Sequence, residues 1–230
     1  WRWTRTAPAW PPGTVRYDVP GQLCWTAGKE QKIPRTWFEH SPIRHNGELL
    51  YVDYRTNCLA DDGAVPCGFS CVLMASCDNG RSFQKRSLVA SGRVYEPMLA
   101  DTADGELVCV IRGEDQERRP MLITRSRDHG LTWEPPRKLF EFGVFPALVR
   151  LENGLLLLAY GRPGVWVTAS RDGGRTWAES AQVIGDPTCS YTNLRPLRGG
   201  EALLAYSNFK ATGPDGQPCK SIEVRRIAAR

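Results

Sequence analysis

The chain has 230 residues, 41% of them hydrophobic, enough for one good-sized core or two smaller ones. Its formal charge is only +5, from 30 Lys and Arg against 25 Asp and Glu, and the basic residues are scattered rather than clustered. This excludes a polycationic tail for nucleic acid or a membrane surface, and no stretch approaches the roughly 18 apolar residues of a membrane span.

Residues 1–36 are rich in Trp, Pro and Arg and contain no repeat, so they read as a separate N-terminal segment ahead of residues 37–230. From there the chain repeats itself. The first unit has a turn at Asn46-Gly47 followed by Leu49-Leu50, and later Ser76-Cys77-Asp78-Asn79-Gly80-Arg81-Ser82-Phe83. The second has Asp104-Gly105 before Leu107-Val108, then Ser126-Arg127-Asp128-His129-Gly130-Leu131-Thr132-Trp133. The third has Asn153-Gly154 before Leu156-Leu157, then Ser170-Arg171-Asp172-Gly173-Gly174-Arg175-Thr176-Trp177. A weaker fourth begins at Gly199-Gly200 before Ala202-Leu203-Leu204.

Asn-Gly and Asp-Gly between apolar runs predict hairpins with φ > 0 at both central residues. Each unit therefore reads strand, tight turn, strand, loop, strand, Ser-Asp-Gly turn, strand. Four antiparallel strands in about 45 residues make a propeller blade. Runs such as Leu155–Leu158 are apolar on both faces, as expected of strands sandwiched between blades. In the repeated turn, Asp78, Asp128 and Asp172 are read as acceptors for turn amides, with glycine for the left-handed step and the aromatic for packing.

The eight cysteines match no zinc ribbon and only His40, His45 and His129 are present, so neither metal nor cofactor is expected. Cys109, inside an apolar run, reads as a small buried hydrophobe. Cys58, Cys67 and Cys71 share a loop region where a bridge can form, and the redox state stays open.

Three such turns at blade spacing resemble the Asp-box (BNR) repeats of the sialidase, or neuraminidase, superfamily. The resemblance covers roughly residues 37–230. It implies an all-β, sialidase-type propeller, incomplete here at about four blades of a six-bladed ring, with residues 1–36 a remnant of a preceding blade. Missing blades or a partner would close the ring, and the resemblance favours a secreted or periplasmic location.

Aligning the units on their hairpin glycines gives two columns. Glu96 and Tyr191 stand nine residues before Gly105 and Gly200, while Arg55, Arg112 and Arg162 stand seven or eight after Gly47, Gly105 and Gly154. Antiparallel pairing brings both columns to one rim. Guanidinium groups suit the carboxylate of an acidic sugar, and a neutral tyrosine avoids the repulsion an anionic nucleophile would meet. The resemblance implies that Tyr191 is the nucleophile, Glu96 the group that activates it, and Arg112 and Arg162 two members of a carboxylate-binding triad. Asp61 and Asp62 lie at a distance compatible with the acid/base. The family's first arginine, in a Phe/Tyr-Arg-Ile-Pro motif, has no counterpart: the stretch reads Trp37-Phe38-Glu39-His40-Ser41-Pro42. The expected function is retaining cleavage of a terminal sialic acid or related acidic sugar from a glycan. The alternative is a non-catalytic propeller that binds a glycan or protein partner.

Overall fold

A computed structural model of the chain describes residues 24–26, 29–31, 40–56, 69–92, 94–112, 119–186 and 190–228. A short hairpin, β1 (Cys24–Thr26) and β2 (Lys29–Gln31), precedes four antiparallel sheets. The first blade holds β3 (Ile43–His45), β4 (Glu48–Thr56), β5 (Phe69–Ser76) and β6 (Gln84–Ser91) in sequential order. The second repeats this with β7 (Tyr95–Asp101), β8 (Leu107–Arg112), β9 (Met121–Ser126) and β10 (Arg137–Phe140). The third uses β11 (Val144–Arg150), β12 (Leu156–Gly161), β13 (Val165–Ser170) and β14 (Ala181–Ile184). The fourth has three described strands, β15 (Ser190–Pro196), β16 (Glu201–Thr212) and β17 (Pro218–Ala228). The described sheets form an open arc of propeller blades, and the last one leaves Ile222 and Val224 exposed. Among the described residues no helix is long and apolar enough to cross a membrane.

The core lies between blades, which explains the strands that are apolar on both faces. Leu50 and Leu73 of the first blade meet Leu107, Cys109 and Ile111 of the second. Val108, Val110 and Met121 then meet Leu148, Leu156 and Leu158 of the third. Leu157 and Ala159 complete the series against Leu194, Leu204 and Tyr206 of the fourth. Every residue of β12 is buried, and burying a leucine is worth about 2 kcal/mol. Cys109 is fully buried, and burial pushes its thiol up. Cys71 is buried in β5, while Cys58 and Cys67 lie outside the described residues.

The hairpins correct one expectation. Of the three Asx-Gly hairpin turns at Asn46-Gly47, Asp104-Gly105 and Asn153-Gly154, the first alone has both residues left-handed, at φ 49° and 84°. At Asp104-Gly105 and Asn153-Gly154 the glycine alone is left-handed, because these loops are longer. Gly105 N–H donates to Thr102 O and Thr102 N–H to Glu106 O, and Gly154 and Leu151 repeat the pattern with Leu151 and Leu155. This is a type I turn closed by a left-handed glycine, rather than a two-residue turn.

The Ser-x-Asp-x-Gly turns join the third and fourth strands of the first three blades with one hydrogen-bond scheme. In the second blade Ser126 Oγ donates to Asp128 Oδ1 at 2.8 Å and accepts from Gly130 N–H at 2.8 Å. Thr132 donates its amide to Oδ1 at 2.9 Å and its hydroxyl to Oδ2 at 2.5 Å. Ser76, Asp78 and Ser82 repeat it, as do Ser170, Asp172 and Thr176. The Thr132 hydroxyl and amide hold the Asp128 carboxyl down at about 2. These aspartates are turn-formers.

The first strand of each blade faces the hub. Residues of β3, β7, β11 and β15 together line one cavity of about 240 Å³, so the four inner strands surround a common space.

A candidate active site at the hub rim

The inner strands of the second, third and fourth blades share a defect. Tyr95 pairs with Arg112, Val144 with Gly161 and Ser190 with Ser207, after which each register shifts. Pairing resumes at Met98 with Val110, Ala147 with Ala159 and Thr192 with Tyr206. Each inner strand thus carries one extra residue, a β-bulge, and the residue just inside it is left-handed: Glu96 at φ 43°, Phe145 at 45° and Tyr191 at 52°. Non-glycine residues rarely take this conformation, which costs about 1–2 kcal/mol. Three at one position on consecutive blades re-aim three side chains at the same rim. Pro97 and Pro146 follow the first two, tolerated because a bulge frees the ladder amide. In the fourth blade Thr192 takes that place, and its hydroxyl donates to the carbonyls of Phe145 at 2.8 Å and Ala159 at 3.2 Å.

Glu96 is buried. Its Oε1 accepts from Arg112 Nη1 at 2.6 Å and its Oε2 from the Phe145 amide at 2.7 Å. This ion pair spans the first two strands of the second blade, and the amide ties it to the third. Phe145 sits between two rings, with His40 4.9 Å and Tyr191 5.1 Å from its centroid. His40 is partly buried; burial pushes its imidazole down to about 4, and its Nε2 is enclosed without a hydrogen-bond partner. Tyr191 is 43% exposed and presents its ring edge to Phe145.

Glu96, Arg112 and Tyr191 therefore reach one rim. Tyr191 makes no hydrogen bond to Glu96; the Phe145 residue stands between their strands. Arg162 follows β12 at φ 51°, begins a cis bond to Pro163, and donates its amide to Gly164 O at 2.8 Å. Strand register separates the arginines. Arg55 and Arg162 each stand six residues after the equivalent Leu49 and Leu156, whereas Arg112 stands five after Leu107. Arg55 is in β4 opposite Ser70. Asp61 and Asp62 lie outside the described residues.

Phe145 was readable at the same nine-residue spacing, before Gly154, but an aromatic gives no chemical signal beside Glu and Tyr. Thr192 and His40 act through contacts that no spacing reveals. Among the described residues no group of three His, Cys, Asp or Glu is placed to hold a metal ion.

Residues 24–204 match the family model for a BNR repeat-like domain. No curated protein matches the sequence. Among solved structures, a protein of unknown function from Dyadobacter fermentans superposes with TM-score 0.63 at 18% identity, over 90% of this chain and 67% of its own. The GH93 α-L-arabinofuranosidase of Fusarium graminearum, solved with arabinobiose, gives 0.60 at 16% identity, over 93% and 65%. A leech intramolecular trans-sialidase complexed with 2,7-anhydro-Neu5Ac gives 0.54 at 18%, over 79% and 29%. Identities this low show a shared fold, the sialidase-type propeller, of which this chain spans about two thirds in the first two proteins and under a third of the last.

Proposed function

Because this chain belongs to the BNR repeat-like domain family, we propose that its hub rim is a sialidase-like glycosidase site for a terminal sialic acid or related acidic sugar. The observation that carries the reading is the aligned set of left-handed bulges. Unusual backbone is conserved in geometry across three blades while the residue changes from Glu to Phe to Tyr, which is what a site built on a repeated scaffold requires.

In this reading the Tyr191 hydroxyl attacks the anomeric carbon as the bond to the leaving oxygen breaks. Its phenolic proton passes to Glu96, and an acid supplied from Asp61 or Asp62 protonates the leaving group. Water then attacks the tyrosyl glycoside, giving up its proton to that same carboxylate, and the phenolate recovers the proton held by Glu96. Arg112 and Arg162, together with Arg55, would hold the sugar carboxylate by planar charge-assisted hydrogen bonds. Phe145 and His40 supply an apolar wall.

A second reading, a binding module without chemistry, has one observation in its favour: both Glu96 oxygens are occupied by Arg112 and the Phe145 amide, and Tyr191 does not touch them. Hydrolysis of a fluorogenic sialoside, alongside an α-L-arabinofuranoside, separates the readings. The expected result is sialoside turnover that falls at least a hundredfold in Tyr191→Phe. Turnover untouched by that substitution, or confined to the neutral pentoside, removes the proposal. Sialic acid binding without turnover leaves the binding module.

A further inference from the structure

The end of the first two blades away from the Glu96–Tyr191 rim carries a cluster that the glycosidase reading does not use. We propose that His45, Asn46 and His129 form a binding site for a divalent transition-metal ion, which would clasp the first blade to the second. The proposal is independent of the glycosidase reading.

His45 and His129 are 84 residues apart, and the fold brings them together. His45 ends β3, Asn46 begins the hairpin turn after it, and His129 lies in the Ser-x-Asp-x-Gly turn after β9. Leu49 pairs with both Arg44 and Ser76, and Leu107 with both Asp101 and Ser126, so the two kinds of turn share one end of each blade. His45 is buried, while Asn46 and His129 are exposed. An ion can therefore enter from solvent, and water can complete its coordination.

Three polar atoms meet there. His45 Nε2 lies 3.2 Å from His129 Nδ1, and the Asn46 amide end lies 2.9 Å from His129 Nδ1 and 3.4 Å from His45 Nε2. Hydrogen bonding cannot satisfy this triangle. A neutral ring nitrogen is either a donor or an acceptor, and each end of an amide is one or the other. Among three mutually contacting atoms two must share a role, so one contact sets like against like. A cation removes the conflict, because all three groups then act as acceptors: two imidazole lone pairs and, with the amide turned over, Asn46 Oδ1.

The spacing fits a metal. Ligand atoms about 2.05 Å from an ion stand about 2.9 Å apart at right angles and about 3.35 Å apart at the tetrahedral angle. The three observed separations cover that range, and a small turn of the exposed His129 ring aims its lone pair at the common point. Ligand chemistry selects the class of ion. Glu48, the carboxylate of this hairpin, is paired with Arg86 at 2.6 Å, so the ligands are neutral. Two imidazoles favour zinc, nickel or copper over calcium and magnesium, which take oxygen. At the next blade interface the place of His129 is taken by Gly173, beside Thr102.

Calorimetric titration of the full chain with zinc chloride, against magnesium chloride at equal ionic strength, tests the site. Saturable one-to-one zinc binding is expected, with a melting temperature that zinc raises. His129→Gly should weaken binding at least tenfold, and the turn is kept because glycine already holds that position in the third blade, at φ 68°. Asn46→Asp should tighten binding, since a charged oxygen replaces a neutral one. Cobalt(II) should bind without a thiolate charge-transfer band. Absence of saturable zinc binding over magnesium overturns the proposal, and so does equal affinity in His129→Gly. A thiolate band places the ion on cysteine, and an affinity unmoved by Asn46→Asp removes the third ligand; either result strikes the site.

Discussion

The repeated Ser-x-Asp-x-Gly turn and the inner-strand bulge use the same backbone device for opposite ends. Both recur in three blades, and both depend on left-handed residues: Asn79, His129 and Gly173 in the turns, Glu96, Phe145 and Tyr191 in the bulges. In the turn the Ser, Asp and Ser/Thr positions are nearly invariant, because each of these side chains has a local partner. Asp128 bonds Ser126 and Thr132, and Trp133 reaches back to Ser87 of the preceding blade at 3.0 Å. At the bulge the backbone is constant and the side chain varies. Invariance across repeats marks a group that holds the blade together; variation on fixed geometry marks a group that faces something outside the fold.

The largest effect that can break this comparison is at the ion pair. Arg112 and Glu96 side chains are 16% and 10% exposed, so Arg112→Ala strands a nearly buried carboxylate. The expected loss is about 4 kcal/mol in chemical denaturation. Adding Glu96→Gln should recover a large part of it, because the Phe145 amide can still donate to the neutral side chain. If the double variant is no better than Arg112→Ala, the arginine acts through packing, and the rim is structural in the same sense as the turn.

Next in size is a pair of glycines. A Cβ at Gly130, at φ 81°, would collide with Cδ2 of the fully buried Leu73 across the blade interface. Gly105, at φ 83°, has nothing within 4 Å. Gly130→Ala should therefore cost about 3 kcal/mol, adding overpacking to backbone strain, whereas Gly105→Ala should cost about 1 kcal/mol from strain alone. Equal losses would mean that the turn glycine is needed only for its backbone conformation.

Smaller again is the turn carboxylate. Hydrogen bonds from Thr132 hold the Asp128 carboxyl at about 2, below its unfolded value near 3.9. A depressed carboxyl stabilises the fold above pH ~4, and that contribution is lost as pH falls toward 2. Asp128→Asn should lower the unfolding free energy at pH 7 by about 1 kcal/mol, discounted for the exposure of the carboxyl, and the difference from wild type should shrink toward zero as pH falls through 2. A gap that persists there assigns the cost to shape rather than charge.

Much of this was legible in the sequence because repetition amplifies weak signals. Three turns with one residue pattern, each behind an apolar hairpin, were enough to place the hydrogen-bonded turns and the order of the strands. Glu96, Arg112 and Tyr191 were found through the spacing to Gly105 and Gly200, since antiparallel pairing converts equal spacing into a shared rim. Less visible was the bulge, because an extra residue in one strand leaves no mark on an apolar pattern so short. It rotates Glu96 out of alternation. The longer loops at Asp104-Gly105 and Asn153-Gly154 were hidden for a similar reason, as their dipeptides look the same as the two-residue turn at Asn46-Gly47.

The smallest effect on stability sharpens the comparison most. Tyr191 is exposed, touches Phe145 through its ring, and has no described partner for its hydroxyl. Tyr191→Phe keeps the ring and the bulge and removes one oxygen, so unfolding free energy should change by less than about 0.5 kcal/mol. The same change in a turn, Thr132→Val, removes a hydroxyl of equal size but one bonded to Asp128, and should cost about 1 kcal/mol. A hydroxyl on a strained residue that contributes nothing to folding has to be accounted for by what it meets in solution. If Tyr191→Phe proves as costly to stability as Thr132→Val, its hydroxyl belongs to the scaffold, and the rim loses the one group whose position the fold alone does not explain.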